Sequence, residues 1–203
     1  MGRPSNSEER RGQIVDGLLE VMARQGYAQA TIAAIGKAAG LTPGLLHYHF
    51  ETKQDILVAL VERLTGALAL RVQRRLEAAG DAPRARLHAF LDAYVAMGED
   101  ADPRAVAAWV VVGAEAVREP QVRALYTQAV GETLRQLREL LGECLRDEGR
   151  GTRQVGRMAA GLLSAIEGAY RVSAAAPGVL PEGFAAPTLR RMADGMLDAE
   201  ERT

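Results

Sequence analysis

The side chains best suited to grip a polyanion crowd into residues 31–55, which read TIAAIGKAAGLTPGLLHYHFETKQD. Lys37 and Lys53 are the only lysines of the chain, and Thr31, Thr42, His47 and Tyr48 stand between or beside them. Hydroxyl, amine, imidazole and phenol groups donate to phosphate or to base edges. Gly44 and Leu45 add small and apolar surface that suits a thymine methyl. Thr31, Thr42 and Lys53 lie at or beside expected helix starts, where free backbone amides and the positive dipole end already favour a phosphate. The chemistry such groups could do is recognition of a duplex, with no covalent step.

Two short helices joined by a glycine-containing turn would position these groups. The first follows Thr31, turns Ile32 and Ile35 inward and stops at Gly40. The second runs from Pro43 to His49, behind Thr42 as cap and with Pro43 at the first position, where a missing amide costs nothing. Gly36 lets the pair approach closely and Leu46 seals it against Ile35. This is the requirement of a helix-turn-helix, whose second helix presents its N-terminal half to the major groove.

Elsewhere apolar residues recur at three-to-four spacing and strand-like alternation is nearly absent, so the fold class is all-α with about nine helices. Ser5 with Glu8 would form a capping box before a leading helix ended by Gly26, and Thr52 with Asp55 another before a long helix from Lys53. Asp102-Pro103 and Pro120 open further helices. One more follows Thr152, and Pro177, Pro181 and Pro187 mark a loop before the last. Short helices give way to long ones near Asp55, which divides the chain into a DNA-binding domain, residues 1–55, and a helical domain, residues 56–203.

Among 203 residues, 25 basic side chains stand against 26 acidic ones, so any nucleic-acid surface must be local. Residues 1–55 are balanced as well, which leaves geometry, helix N-termini and Arg3, Arg10 and Arg11 near the start to reach the backbone or an adjacent minor groove. A single cysteine, Cys144, excludes an intramolecular disulfide and a multi-cysteine zinc site, and its leucine neighbours mark it as a buried small apolar residue. His47 and His49 are two apart on a helix and share no face, so no metal site is expected. The sequence lacks a phosphate-cradling glycine loop, HExxH and GxSxG, so neither catalysis nor a cofactor is expected. No stretch is apolar enough to span a membrane and the first residues have no signal-peptide core, which makes the cytoplasm the expected compartment.

Phe90, Tyr94, Met97, Trp109 and Tyr170 fall on the apolar sides of different helices and are candidates for lining a ligand cavity. Glu115 interrupts an apolar face, as Glu167 does, and buried carboxylates are costly unless paired. Acids beside aromatics would suit a cationic ligand.

The connected pattern of a leading amphipathic helix, Thr31-Ile32, Ile35, Ala39-Gly40-Leu41-Thr42, Gly44, Leu46, His49-Phe50, Lys53 and Leu57 resembles the DNA-binding domain of TetR-family transcriptional regulators. The resemblance implies that the helix from Pro43 reads an operator while Thr31, Thr42, His47 and Lys53 meet the backbone. Where the family usually carries Tyr this chain has His47, leaving that role to His47 or to the adjoining Tyr48. The outline from Trp109 through Glu115-Ala116, Pro120 and Leu125-Tyr126 to Leu163–Tyr170 resembles the C-terminal regions of the BetI-like branch. By resemblance the chain is a repressor that binds double-stranded DNA as a homodimer through the helices from Thr152 onward and answers a small-molecule effector in its C-terminal domain. The alternative is an architectural or partner-binding DNA-binding protein of the same fold with a filled core and no effector.

Overall fold

The computed structural model describes residues 6–96 and 102–202, and within them the chain is helical. The order is α1 (Asn6–Gln25), α2 (Ile32–Ala39), α3 (Pro43–His49), α4 (Lys53–Ala79), α5 (Pro83–Val95), α6 (Pro103–Ala116), α7 (Pro120–Asp147), α8 (Val155–Ala175) and α9 (Ala185–Asp198). Two compact units emerge: Met1–Thr65 with Asp102–Thr127, and Gly66–Ala101 with Gln128–Thr203. The first unit takes in α1 to α3, the first part of α4, all of α6 and the start of α7. Helices α4 and α7 each run through both units.

Local signals set most helix ends. Thr31 caps α2, its hydroxyl accepting from the Ala34 amide at 3.1 Å, and Gly40 closes the helix at φ 68°, a conformation that penalises any side chain. Thr52 and Asp55 cap α4 reciprocally. The Thr52 amide donates to the Asp55 carboxylate at 2.8 Å and the Asp55 amide to the Thr52 hydroxyl at 3.1 Å. Asp102 caps α6 through the Arg104 amide at 2.9 Å.

Three expectations need correction. Thr42 precedes α3, but its hydroxyl makes no capping bond; the Thr42 carbonyl instead receives the Leu45 and Leu46 amides at 3.0 and 3.2 Å. Helix α8 starts at Val155, because residues 152–154 are taken up by a turn that the Val155 amide closes on the Thr152 carbonyl at 3.3 Å. Pro187 lies inside the first turn of α9, where no amide is required, and not in the preceding loop. Ser5 and Met97 lie outside the described residues.

In the first unit Ile14, Leu18 and Met22 of α1, Ile35 of α2, Leu46 of α3, and Ile56, Leu57 and Leu60 of α4 form one buried cluster with Phe50, Ala108 and Val112. Two glycines make the close packing possible. A Cβ on Gly17 would stand 2.7 Å from the Ile35 carbonyl oxygen, and one on Gly36 would stand 2.8 Å from that of Leu41. In the second unit Leu87, Phe90 and Leu91 of α5 pack with Leu137, Leu141 and Leu145 of α7, Leu162 and Ile166 of α8, and Leu189 and Leu197 of α9.

Candidate nucleic-acid interface

Helix α3 is anchored by Leu46 and exposes most of its other residues. Leu46 is fully buried, Leu45 is half-buried, and Pro43, Gly44, His47 and Tyr48 are exposed. Tyr48 is 81% exposed, far more than a tyrosine serving the core would be, and its ring meets His49 edge-on at 5.1 Å. Positions 44, 47 and 48 share a helix face by the three-to-four rule. That face is exposed, and nothing lies within 4 Å of where a Gly44 Cβ would be.

The other expected contacts flank it. Thr31 is exposed at the start of α2, its hydroxyl already accepting a capping bond, and Lys37 is exposed in the last turn of that helix. Lys53 is half-buried and partly engaged: its ammonium donates to the Tyr27 carbonyl at 3.1 Å and lies 4.0 Å from the Tyr27 ring centroid. Three N–H groups on that ammonium leave donors for a phosphate. Burial, then Glu115 and Glu119, push the Tyr27 phenol up to about 12.

Arg10 and Arg11 lie on α1, and each makes a contact within the protein. Arg10 donates to Gln13 at 2.8 Å, and Arg11 donates to the His49 carbonyl at 2.6 Å with its guanidinium 4.1 Å from the Phe50 ring centroid. Arg3 lies outside the described residues. The sequence held a signal for the Arg11 contact: Arg11, Ile14 and Leu18 share one face of α1, so the basic residue heads the apolar stripe.

The candidate ligand residues divide between the two units. Trp109 and Glu115 sit on α6 in the first, where Trp109 stacks on Tyr126 at 5.0 Å and 29°. Phe90, Tyr94 and Tyr170 meet in the second. Phe90 and Tyr94 are 5.0 Å apart, the Tyr94 and Thr133 hydroxyls share a 2.9 Å bond, and the Tyr170 hydroxyl donates to the Tyr94 carbonyl at 2.7 Å. Burial pushes the Tyr94 phenol up to about 12 and that of Tyr170 higher still. A groove of about 350 Å³ in the same unit is lined by Ala69, Val72, Gln73, Leu76, Arg86 and Gln136 among others, none of them a sequence candidate. Cys144 is 1% exposed, and burial pushes its thiol up to about 11. Among the described residues no cluster of three metal-ligating side chains occurs and no helix is long and apolar enough to cross a membrane.

Comparison with known proteins decides the family. Residues 14–60 match the model for bacterial regulatory proteins of the tetR family, and residues 83–198, more than half of the chain, match that for the C-terminal region of BetI-type transcriptional repressors. The chain belongs to the TetR family. A curated TetR-family relative, the HTH-type transcriptional regulator BetI of Rhizobium meliloti (strain 1021), is 30% identical over 197 residues, 92% of each chain. A transcriptional regulator from Rhodococcus sp. Rha1 shares the fold with TM-score 0.81 and 20% identity, over 95% of this chain and 98% of that one. A regulator from Saccharomonospora viridis, solved in complex with choline, superposes with TM-score 0.79 and 21% identity over 96% of this chain and all of that one. As a TetR-family member the chain is a transcriptional regulator and not an enzyme.

Proposed function

We propose that the chain is a cytoplasmic homodimeric repressor whose two α3 helices enter successive major grooves about 34 Å apart and read a near-palindromic operator. The observation that carries this is the exposed Gly44, His47 and Tyr48 face of α3, fixed from behind by Leu46. Leu45 and Tyr48 read bases; Thr31, Lys37, Thr42, Pro43 and Lys53 meet the backbone, with His47 beside them. The DNA-reading part ends near Asp55, at the capping box of α4. Subunits pair through α8 and α9.

An organic cation is the proposed effector class. In the second unit Phe90, Tyr94 and Tyr170 form an aromatic group, which suits a cation; the choline bound to the Saccharomonospora viridis neighbour supports the same chemistry. Coupling of about 2.7 kcal/mol is enough to change operator affinity 100-fold. The second reading, a DNA-binding protein without effector, is favoured by the internal pairing of the Tyr94 and Tyr170 hydroxyls in a filled core.

Selection from a randomised duplex pool tests the main reading: a symmetric enriched site is expected, and failure to enrich any sequence would end it. Thermal melts with choline and related ammonium compounds separate the two variants, since only an effector-binding protein is stabilised.

A further inference from the structure

We propose that Arg11 is a positioning residue for sequence recognition: from α1 it fixes the end of α3 and the turn into α4, and so sets the angle at which Gly44, His47 and Tyr48 are presented. The inference rests on α3 being the DNA-reading helix and extends it to a residue outside that helix. Helix α3 has only 7 residues, so its closing carbonyls have few intrahelical partners and little internal bonding holds its direction. Arg11, 38 residues away in sequence, donates to the His49 carbonyl at 2.6 Å, where the negative end of the helix dipole also favours a cation.

The same guanidinium lies over the Phe50 ring at 4.1 Å, and Phe50 is 4% exposed, so the ring is a fixed plane. One planar side chain thus holds the backbone of residue 49 and the ring of residue 50 together. At the far side of the turn Lys53 holds Tyr27 by its carbonyl and its ring. Cations over aromatic rings therefore clamp both ends of the α3–α4 turn. One of the five N–H donors of Arg11 is engaged by protein, so the salt slope of binding is what separates a positioning role from a phosphate contact.

Arg11→Met keeps the stem and removes donor and charge; Arg11→Lys keeps charge without the fork. The probes are the duplex that the wild-type protein enriches from a randomised pool and a shuffled duplex of the same composition, titrated at several salt concentrations with the full chain. For Arg11→Met the enriched-to-shuffled affinity ratio is expected to fall about tenfold, the scale of a hydrogen bond to a charged group, with an unchanged salt slope on the shuffled duplex. Arg11→Lys should lose about threefold, intermediate because charge and N–H donors are kept without the planar fork. A slope lower by one would make Arg11 a phosphate contact and overturn the proposal, as would a ratio unchanged within twofold. If Arg11→Met proves unfolded by circular dichroism, Arg11→Lys carries the same criteria. Failure of the wild-type protein to enrich any duplex would strike the underlying reading of α3 instead.

Discussion

Arg84 and Glu148 form a two-pronged ion pair in the second unit, Nε to Oε1 at 2.5 Å and Nη2 to Oε2 at 2.9 Å. The guanidinium also donates to Asp194 at 3.2 Å and Asp198 at 2.6 Å, so one residue at the start of α5 ties the segment after α7 and the C-terminal part of α9. Arg84→Ala removes the hub of three acids, although Glu148 keeps Arg150 and Asp194 keeps His88. A loss of about 1–2 kcal/mol at pH 7 is expected, the lower part of the range for hydrogen bonds to charged groups, because the pair is partly in water.

Proton linkage fixes how that loss varies with pH. Hydrogen bonds from Arg84 hold the Glu148 carboxyl below its ordinary value of 4.5. A depressed carboxylate contributes stability that is present above the unfolded-state value and disappears as pH falls through the folded-state value. The difference in urea midpoint between wild type and Arg84→Ala should therefore be constant above about pH 5 and shrink below about pH 4.5. A difference that widened in acid would refute the assignment.

Glycines separate fold from recognition. Gly17→Ala drives a Cβ to 2.7 Å from the backbone oxygen of Ile35, so a loss of about 1–3 kcal/mol is expected by overpacking, read as a lower melting temperature. Gly44→Ala meets no atom within 4 Å and should leave stability within about 0.5 kcal/mol while changing the enriched DNA sequence.

Lys53→Ala and Tyr48→Ala should diverge. Removing Lys53 is expected to weaken binding to every duplex, lower the salt slope by about one, and cost some stability through the lost Tyr27 contact. Removing Tyr48, 81% exposed, should spare the melting temperature and alter base preference. The opposite pattern would exchange their roles.

Cys144 should resist modification. With its thiol buried and raised to about 11, almost no thiolate exists at pH 8, so a thiol reagent is expected to label the native protein far more slowly than the urea-unfolded chain. Rapid native labelling would show that the α7 core opens.

Helix ends were legible because their causes are local: Gly40, the Thr52–Asp55 box and Asp102-Pro103 each act within four residues. Pro187 was misread because a proline signals a boundary without telling the loop from the first turn that follows it. For the Arg11–His49 bond the sequence offered only the place of Arg11 at the head of the apolar stripe of α1; the partner depends on how α1 meets α3, which the periodicity of either helix leaves open. For the same reason Trp109 and Tyr94 both read as inward-facing, yet α6 packs with α1 and α5 with α8 and α9. Periodicity names the buried face of a helix but not the neighbour it meets.

A photo-crosslinking amino acid placed at position 48, with a second protein carrying it at exposed Val179 as control, most directly tests whether α3 lies in the groove. Irradiated with the enriched duplex, the residue at 48 is expected to attach to bases of the site, in both half-sites, while that at 179 attaches to no DNA. Crosslinks from 179, or none from 48 to a duplex that the protein demonstrably binds, would place the DNA elsewhere on the chain.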